Sequence, residues 1–130
     1  PFLAPPRPRS YRHWGAYAAP TLRLALRRRD FDLVHAHYAM PAGDAVRRAG
    51  APYVVSVHGG DLLAHGGAAS VRRGLTGARL TLANSTGMAL RARELGARDV
   101  RVVHLGTDLP TAPVRHRAET LVSVGHLVGR

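Results

Sequence analysis

A chain of 130 residues with 45% apolar side chains can build one packed core but not two full domains. No apolar run approaches the roughly 20 residues needed to span a bilayer, and the absence of cysteine rules out a disulfide, a thiolate metal site or a cysteine nucleophile. The formal charge of +11 would suit nucleic acid, yet all 19 basic residues are arginine, spread over nearly every segment, and aromatics make up only 5%, so a basic surface is expected rather than a base-stacking groove.

The stretch through residue 17 is rich in Pro and Arg without apolar periodicity and is expected to be irregular. Its start, Pro1-Phe2-Leu3-Ala4, lacks the charged-then-apolar order of a secretory leader, and both ends read as cut from something longer. Pro20 is then expected to open a helix with Leu22, Ala25 and Leu26 on one face and Arg27, Arg28 and Arg29 near its end, where positive charge suits the helix dipole. Residues 32–37 read as a strand. Residues 41–49 read as a helix with Pro41 in its first turn and Gly50 as its stop.

Residues 53–57 are almost wholly apolar or β-branched, as for a strand covered on both faces, and a glycine-rich connection follows. Ser70 is expected to cap a helix carrying Val71, Leu75 and Ala78. Residues 80–83 form the next strand. Ser85 caps a helix with Met88, Ala92 and Leu95 on one face and Gly96 as its stop, and residues 100–104 form a further strand. Pro110 and Pro113 mark a linker, after which residues 120–124 start another strand. Strands and helices alternating at this spacing predict βαβ units: an α/β, Rossmann-like parallel sheet with flanking helices.

In such a sheet ligands bind at the carboxyl ends of the strands. Each strand ends here in polar residues: His37, His58, the pair Asn84-Ser85, and His104 leading to Asp108. The run His58-Gly59-Gly60-Asp61 is the strongest signal, because glycines allow a ligand close to the main chain while an imidazole can share a proton with a hydroxyl. His35 and His37, two apart in a strand, face one side, one of the two expected as a hydrogen-bonded core residue and His37, at the tip, as ligand-facing. They could serve a metal-dependent hydrolase together with His58, His104 or Asp108, although a full (β/α)₈ barrel needs about 250 residues. Ser85 is a plain helix cap or, alternatively, a phosphate contact. A basic nucleic-acid-binding module is the third class, with steep salt dependence as its mark.

Five motifs taken in order resemble the first domain of family 4 retaining glycosyltransferases. They are Phe31-Asp32-Leu33-Val34-His35-Ala36-His37-Tyr38 with Pro41-Ala42-Gly43; His58-Gly59-Gly60-Asp61 after its strand; Leu82-Ala83-Asn84-Ser85 with Gly96-Ala97; Gly106 and Asp108 in the turn that follows Val103; and Leu121-Val122-Ser123-Val124-Gly125.

The resemblance implies a GT-B architecture of two Rossmann-like domains, of which this chain holds an incomplete half: residues 1–108 in the acceptor domain, 109–119 as linker, and 120–130 as the first strand of the donor domain. It implies His58 as the catalytic residue facing the transferred sugar. Gly59, Gly60, Asp61, His37, Ser85, Gly106 and Asp108 would line the substrate site, with Gly125 and His126 on the donor-phosphate side. His126 stands where the family has an arginine, and Leu105 where it often has asparagine. The family's pair of glutamates is missing, as only Glu94 and Glu119 exist.

The implied activity is transfer of a hexose, with retention, from a nucleotide-sugar to a sugar or lipid-linked acceptor. No metal or cofactor is implied, since the nucleotide-sugar is a substrate, and no nucleic-acid partner. The expected setting is cytoplasmic, extending to the inner face of the membrane with peripheral contact to its anionic surface. The isolated chain is expected to be inactive.

Overall fold

The computed structural model describes residues 13–64, 67–106 and 108. Among them the element order is α1 (Trp14–Arg28), β1 (His35–His37), a broad helical turn (Ala39–Gly43), α2 (Asp44–Ala49), β2 (Val54–Val57), α3 (Gly60–Leu63), α4 (Ala69–Thr76), β3 (Leu80–Ala83), α5 (Thr86–Glu94) and β4 (Val100–Val102). The expected linker and the strand at 120–124 lie outside the described residues.

The four strands are parallel and lie side by side in chain order. Right-handed crossovers that always step in the same direction place every connecting helix on the same side of the sheet. The packing bears this out. Ala36, Val55, Val57 and Ala83 of the strands share one core with Val46 of α2, Val71 and Leu75 of α4, and Ala89 and Ala92 of α5.

The other face is open among the described residues. Val54, Ser56, Leu80 and Leu82 are only half-buried there, and His35 and His37 are exposed. The expectation that residues 53–57 are covered on both faces is therefore corrected, because a one-directional strand order supplies helices to one face alone.

Several boundaries differ from the sequence-based expectation. The first helix begins at Trp14, not Pro20, and Pro20 sits inside it. Tertiary packing decides this. Gly15, Ala18 and Ala19 are buried against α2, so close that a Cβ on Gly15 would lie 2.9 Å from Asp44 Oδ2. Pro20 and Ala16, whose helical bond the proline forfeits, are both exposed, so water can take the freed carbonyl. Arg23 fixes the pairing by donating to the carbonyls of Ala49 (3.3 Å) and Arg48 (2.5 Å) at the end of α2. Ala25, expected on the inner face, is exposed, while Leu22 and Leu26 are half-buried.

The helix expected over 41–49 is instead the turn Ala39–Gly43, non-helical at Met40, followed by α2, which stops at Gly50 with φ 82° as expected. Ser70 does not cap α4. Ala68 is the cap residue, and the Ser70 hydroxyl is buried against the Met40 sulfur at 2.8 Å. The glycine-rich connection contains the short helix α3.

Gly74, a weak residue for a helix interior, is required by packing. A Cβ there would overlap the Ala39 carbonyl, and Tyr53 donates its hydroxyl to the Gly74 carbonyl at 2.6 Å. Burial pushes the Tyr53 phenol up to about 12, so it stays a protonated donor. Gly74→Ala should force α4 off the Ala39–Gly43 turn and cost about 1–3 kcal/mol, read as a lowered urea midpoint. An unchanged midpoint would mean the helix can slide freely.

Beside it, the buried Asp44 carboxylate is held by Arg48 (2.8 Å), Arg47 (3.2 Å) and Arg73 (3.6 Å). Ringing one buried charge with three guanidinium groups satisfies its remaining lone pairs.

Candidate functional site

The tips of β2 and β3 are register partners, Val57 beside Ala83. The residues that follow each strand therefore gather along one edge, His58 next to the Asn84-Ser85 turn. His37, at the tip of β1, pairs in register with Ser56. Between these tips, on the open face, lies a cavity of about 90 Å³ walled by His37, Ser56, His58, Asn84, Leu82 and Val103, with Leu105 at its margin. A larger hollow of about 660 Å³ lies between Met40, Arg48 and the start of α4, and neither His37 nor His58 lines it.

The imidazoles form a continuous row. His35 and His37 stack with centroids 4.6 Å apart, and His37 and His58 at 5.2 Å. His37 Nδ1 lies 3.0 Å from His58 Nε2, a hydrogen bond that requires one ring to donate and the other to accept. His35 Nε2 is 2.8 Å from Ser56 Oγ. His35 is not the core residue that the sequence suggested for one of the pair, since it is exposed at the sheet's open face.

Packing of one ring face against its neighbours, then repulsion from His37 and His58, lowers the His35 pKa below its usual value. A base depressed in the folded state binds fewer protons than in the unfolded chain. Its contribution is thus intact above about pH 6.5 and is lost as pH falls below that. The urea midpoint should drop between neutral pH and pH 5.5, and His35→Gln should flatten that slope. An equal slope in the variant would assign it to other groups.

The backbone after β2 is built to present His58. Gly59 has φ +90°, a conformation suited to glycine, and opens α3. Asp61 in the first turn of α3 is buried, and its carboxylate accepts from the Ala39 N–H at 2.7 Å and from the His58 N–H at 3.2 Å. It therefore pins the loop after β1 to the loop after β2, each oxygen taking one N–H. Gly60 is exposed, with open space beside it.

Ser85 Oγ accepts from Met88 N–H at 3.3 Å, the capping geometry expected for α5. Gly106 and Asp108 are exposed beyond β4, and Gly125 and His126 lie outside the described residues.

Two residues at this edge had no role assigned to them from the sequence. Tyr38 has φ 75°, its N–H donates to the Ser56 carbonyl at 2.8 Å, and its ring lies 4.7 Å from His58. A positive φ in a bulky residue costs of order 1–3 kcal/mol and persists where the surroundings enforce it. Its position directly after the His-Ala-His strand was the available signal. Asn84 Oδ1 is buried with no hydrogen-bond partner and borders the cavity, an acceptor left open toward a donor. The Asn-Ser turn at a strand end was the hint for it.

Among the described residues no three His, Asp or Glu side chains come together to hold a metal ion. Nor, among them, is any helix long and apolar enough to cross a membrane.

The sequence pattern of Glycosyltransferase Family 4 matches residues 1–110. A relative from Bacillus subtilis (strain 168), described as a putative teichuronic acid biosynthesis glycosyltransferase, TuaC, is 32% identical over 110 residues, covering 72% of this chain. The same match covers 28% of that relative, so the chain spans about a quarter of its length.

Proposed function

The chain belongs to glycosyltransferase family 4, and from that membership we propose that it forms the acceptor-side part of a GT-B enzyme moving a hexose, with retention, from a nucleotide-sugar to a sugar or lipid-linked acceptor on the cytoplasmic side. The observation that carries this reading is the rim at the strand tips, where His58, His37, Tyr38 and Asn84 meet on one edge of a parallel sheet.

In this scheme the His58 imidazole hydrogen-bonds a hydroxyl of the transferred sugar. A ligand hydroxyl that takes over the hydrogen bond between His37 and His58 replaces one imidazole contact by another, so little is lost on entry. The open Asn84 carbonyl accepts a second hydroxyl. Tyr38 gives a flat apolar wall beside His58, as sugar rings favour. Asp61 acts through the loop, holding the His58 backbone in place, and Ser85 keeps α5 capped at the adjoining tip. The departing nucleotide diphosphate needs cationic side chains and helix N-termini, which the donor-side domain would supply, with Gly125 and His126 at its entrance.

The test is turnover. The 130-residue chain alone should release no nucleotide diphosphate from any of a panel of nucleotide-sugars, whereas a longer protein that joins it to a donor domain should. Turnover by the isolated chain, or none by the longer protein with any donor, would overturn the reading.

A further inference from the structure

The imidazoles of His37 and His58 are each anchored through their own main chain. His37 sits in the ladder opposite Ser56, and the next residue, Tyr38, donates its N–H to the Ser56 carbonyl at 2.8 Å. His58 is set by the Gly59 turn and by the Asp61 carboxylate, which accepts its N–H. The His37 ring is steadied further by His35, stacked at 4.6 Å and itself tied to Ser56 Oγ at 2.8 Å. Rings held this way meet in a set geometry: His37 Nδ1 lies 3.0 Å from His58 Nε2, with the ring planes 22° apart.

A neutral imidazole has one N–H and one bare nitrogen, and the bond made by one nitrogen settles which is which. If His37 donates, both rings carry their hydrogen on Nδ1. If His58 donates, both carry it on Nε2, the tautomer that a neutral histidine favours when no neighbour intervenes. Asp61 reaches only the main chain of His58, whereas His37 reaches the ring.

We propose that His37 is a positioning residue for His58: its bare Nδ1 accepts from His58 Nε2–H and so presets that nitrogen as a donor before substrate arrives. The consequence for catalysis rests on the reading of the rim as a sugar site. A hydroxyl oxygen that displaces His37 there meets an N–H at once. Without His37 the ring can turn over, or carry its proton on Nδ1, and show the same oxygen a bare nitrogen that repels it.

The experiment has two arms. Nitrogen NMR of the 130-residue chain, with isotope-labelled histidine and at about pH 8.5, well above the usual imidazole titration, reads the proton position directly, because protonated and bare ring nitrogens differ widely in shift. In the parent, His58 should show a protonated Nε2 and His37 a bare Nδ1. In His37→Phe, which keeps an aromatic ring at this exposed position, His58 should become a mixture of tautomers. In His37→Asn, whose side-chain oxygen can stand in for Nδ1, Nε2 should stay protonated. The same mixture in the parent and in His37→Phe, or a bare Nε2 in the parent, would overturn the proposal.

The second arm uses a longer protein that carries a donor domain. There His37→Phe should lower kcat about tenfold to a hundredfold with a smaller change in KM, and His37→Asn should recover most of the loss. A Phe variant as fast as the parent, or faster than the Asn variant, would make His37 a packing residue and overturn the proposal. A fixed His58 tautomer in a protein that turns over no nucleotide-sugar would uphold the pairing and overturn the transferase reading alone, so the two fail separately.

Discussion

In a glycosyltransferase containing this chain, His58→Ala should lower kcat by about a hundredfold or more while shifting the denaturation midpoint little. The residue is half-buried at the strand tip, and its ring meets His37, through one hydrogen bond and stacking, and Tyr38, through a tilted ring contact. Losing one such hydrogen bond at a solvent-accessible edge costs about 1 kcal/mol or less. Activity, by contrast, would lose the one imidazole that the Gly59 turn and the Asp61 brace are arranged to present. The measurement is steady-state kinetics beside a urea melt of the same preparation. A variant with the parent's rate would remove His58 from the site, and one that unfolds would make it a structural residue.

Asp61→Ala should act the other way round, on folding first. Its carboxylate is 3% exposed and serves two backbone N–H groups, those of Ala39 and His58, which belong to loops after different strands. Removing it leaves both donors without their acceptor in a poorly hydrated place, at a cost of about 2–5 kcal/mol. That is a large part of the 5–15 kcal/mol that holds a typical domain together. Asp61→Asn keeps the shape but turns one acceptor into a donor facing an N–H, so it should recover no more than about half of the loss. Urea or thermal melts decide. A midpoint unchanged in both variants would mean that the two amides find other partners and that the loops are not joined through this carboxylate.

Much of this architecture was legible in the residues because its signals are local. The strand 80–83 and the cap at Ser85 were read correctly, since β-branched and apolar runs, a hydroxyl before a helix and Gly96 with φ 102° all act within a few residues. The same holds for Gly50. Where local preference and tertiary contact disagreed, the sequence misled. Pro20 reads as a helix start and Gly74 as a helix weakness. Yet the first lies on a solvent face where its missing N–H is cheap, and the second is where α4 meets the Ala39 carbonyl.

The histidine rim was partly visible. His58 stood out by its place after a strand, and His37 by its spacing from His35, but neither spacing nor composition says that Nδ1 of one faces Nε2 of the other. Tyr38 and Asn84 had no role assigned from the sequence because their distinguishing features, a positive φ and an unanswered acceptor, exist only once the backbone is placed.

The order of residues alone thus determined the parallel α/β class and family membership through motifs in series, because periodicity, capping and turn residues are written within a few positions of one another. Only the tertiary structure decided which sheet face is covered, which glycines are contacts rather than turns, and that the Asp61 carboxylate joins the loops after β1 and β2. Those outcomes depend on the direction in which each crossover steps and on distances between residues 20 or more positions apart, which no short stretch of sequence encodes.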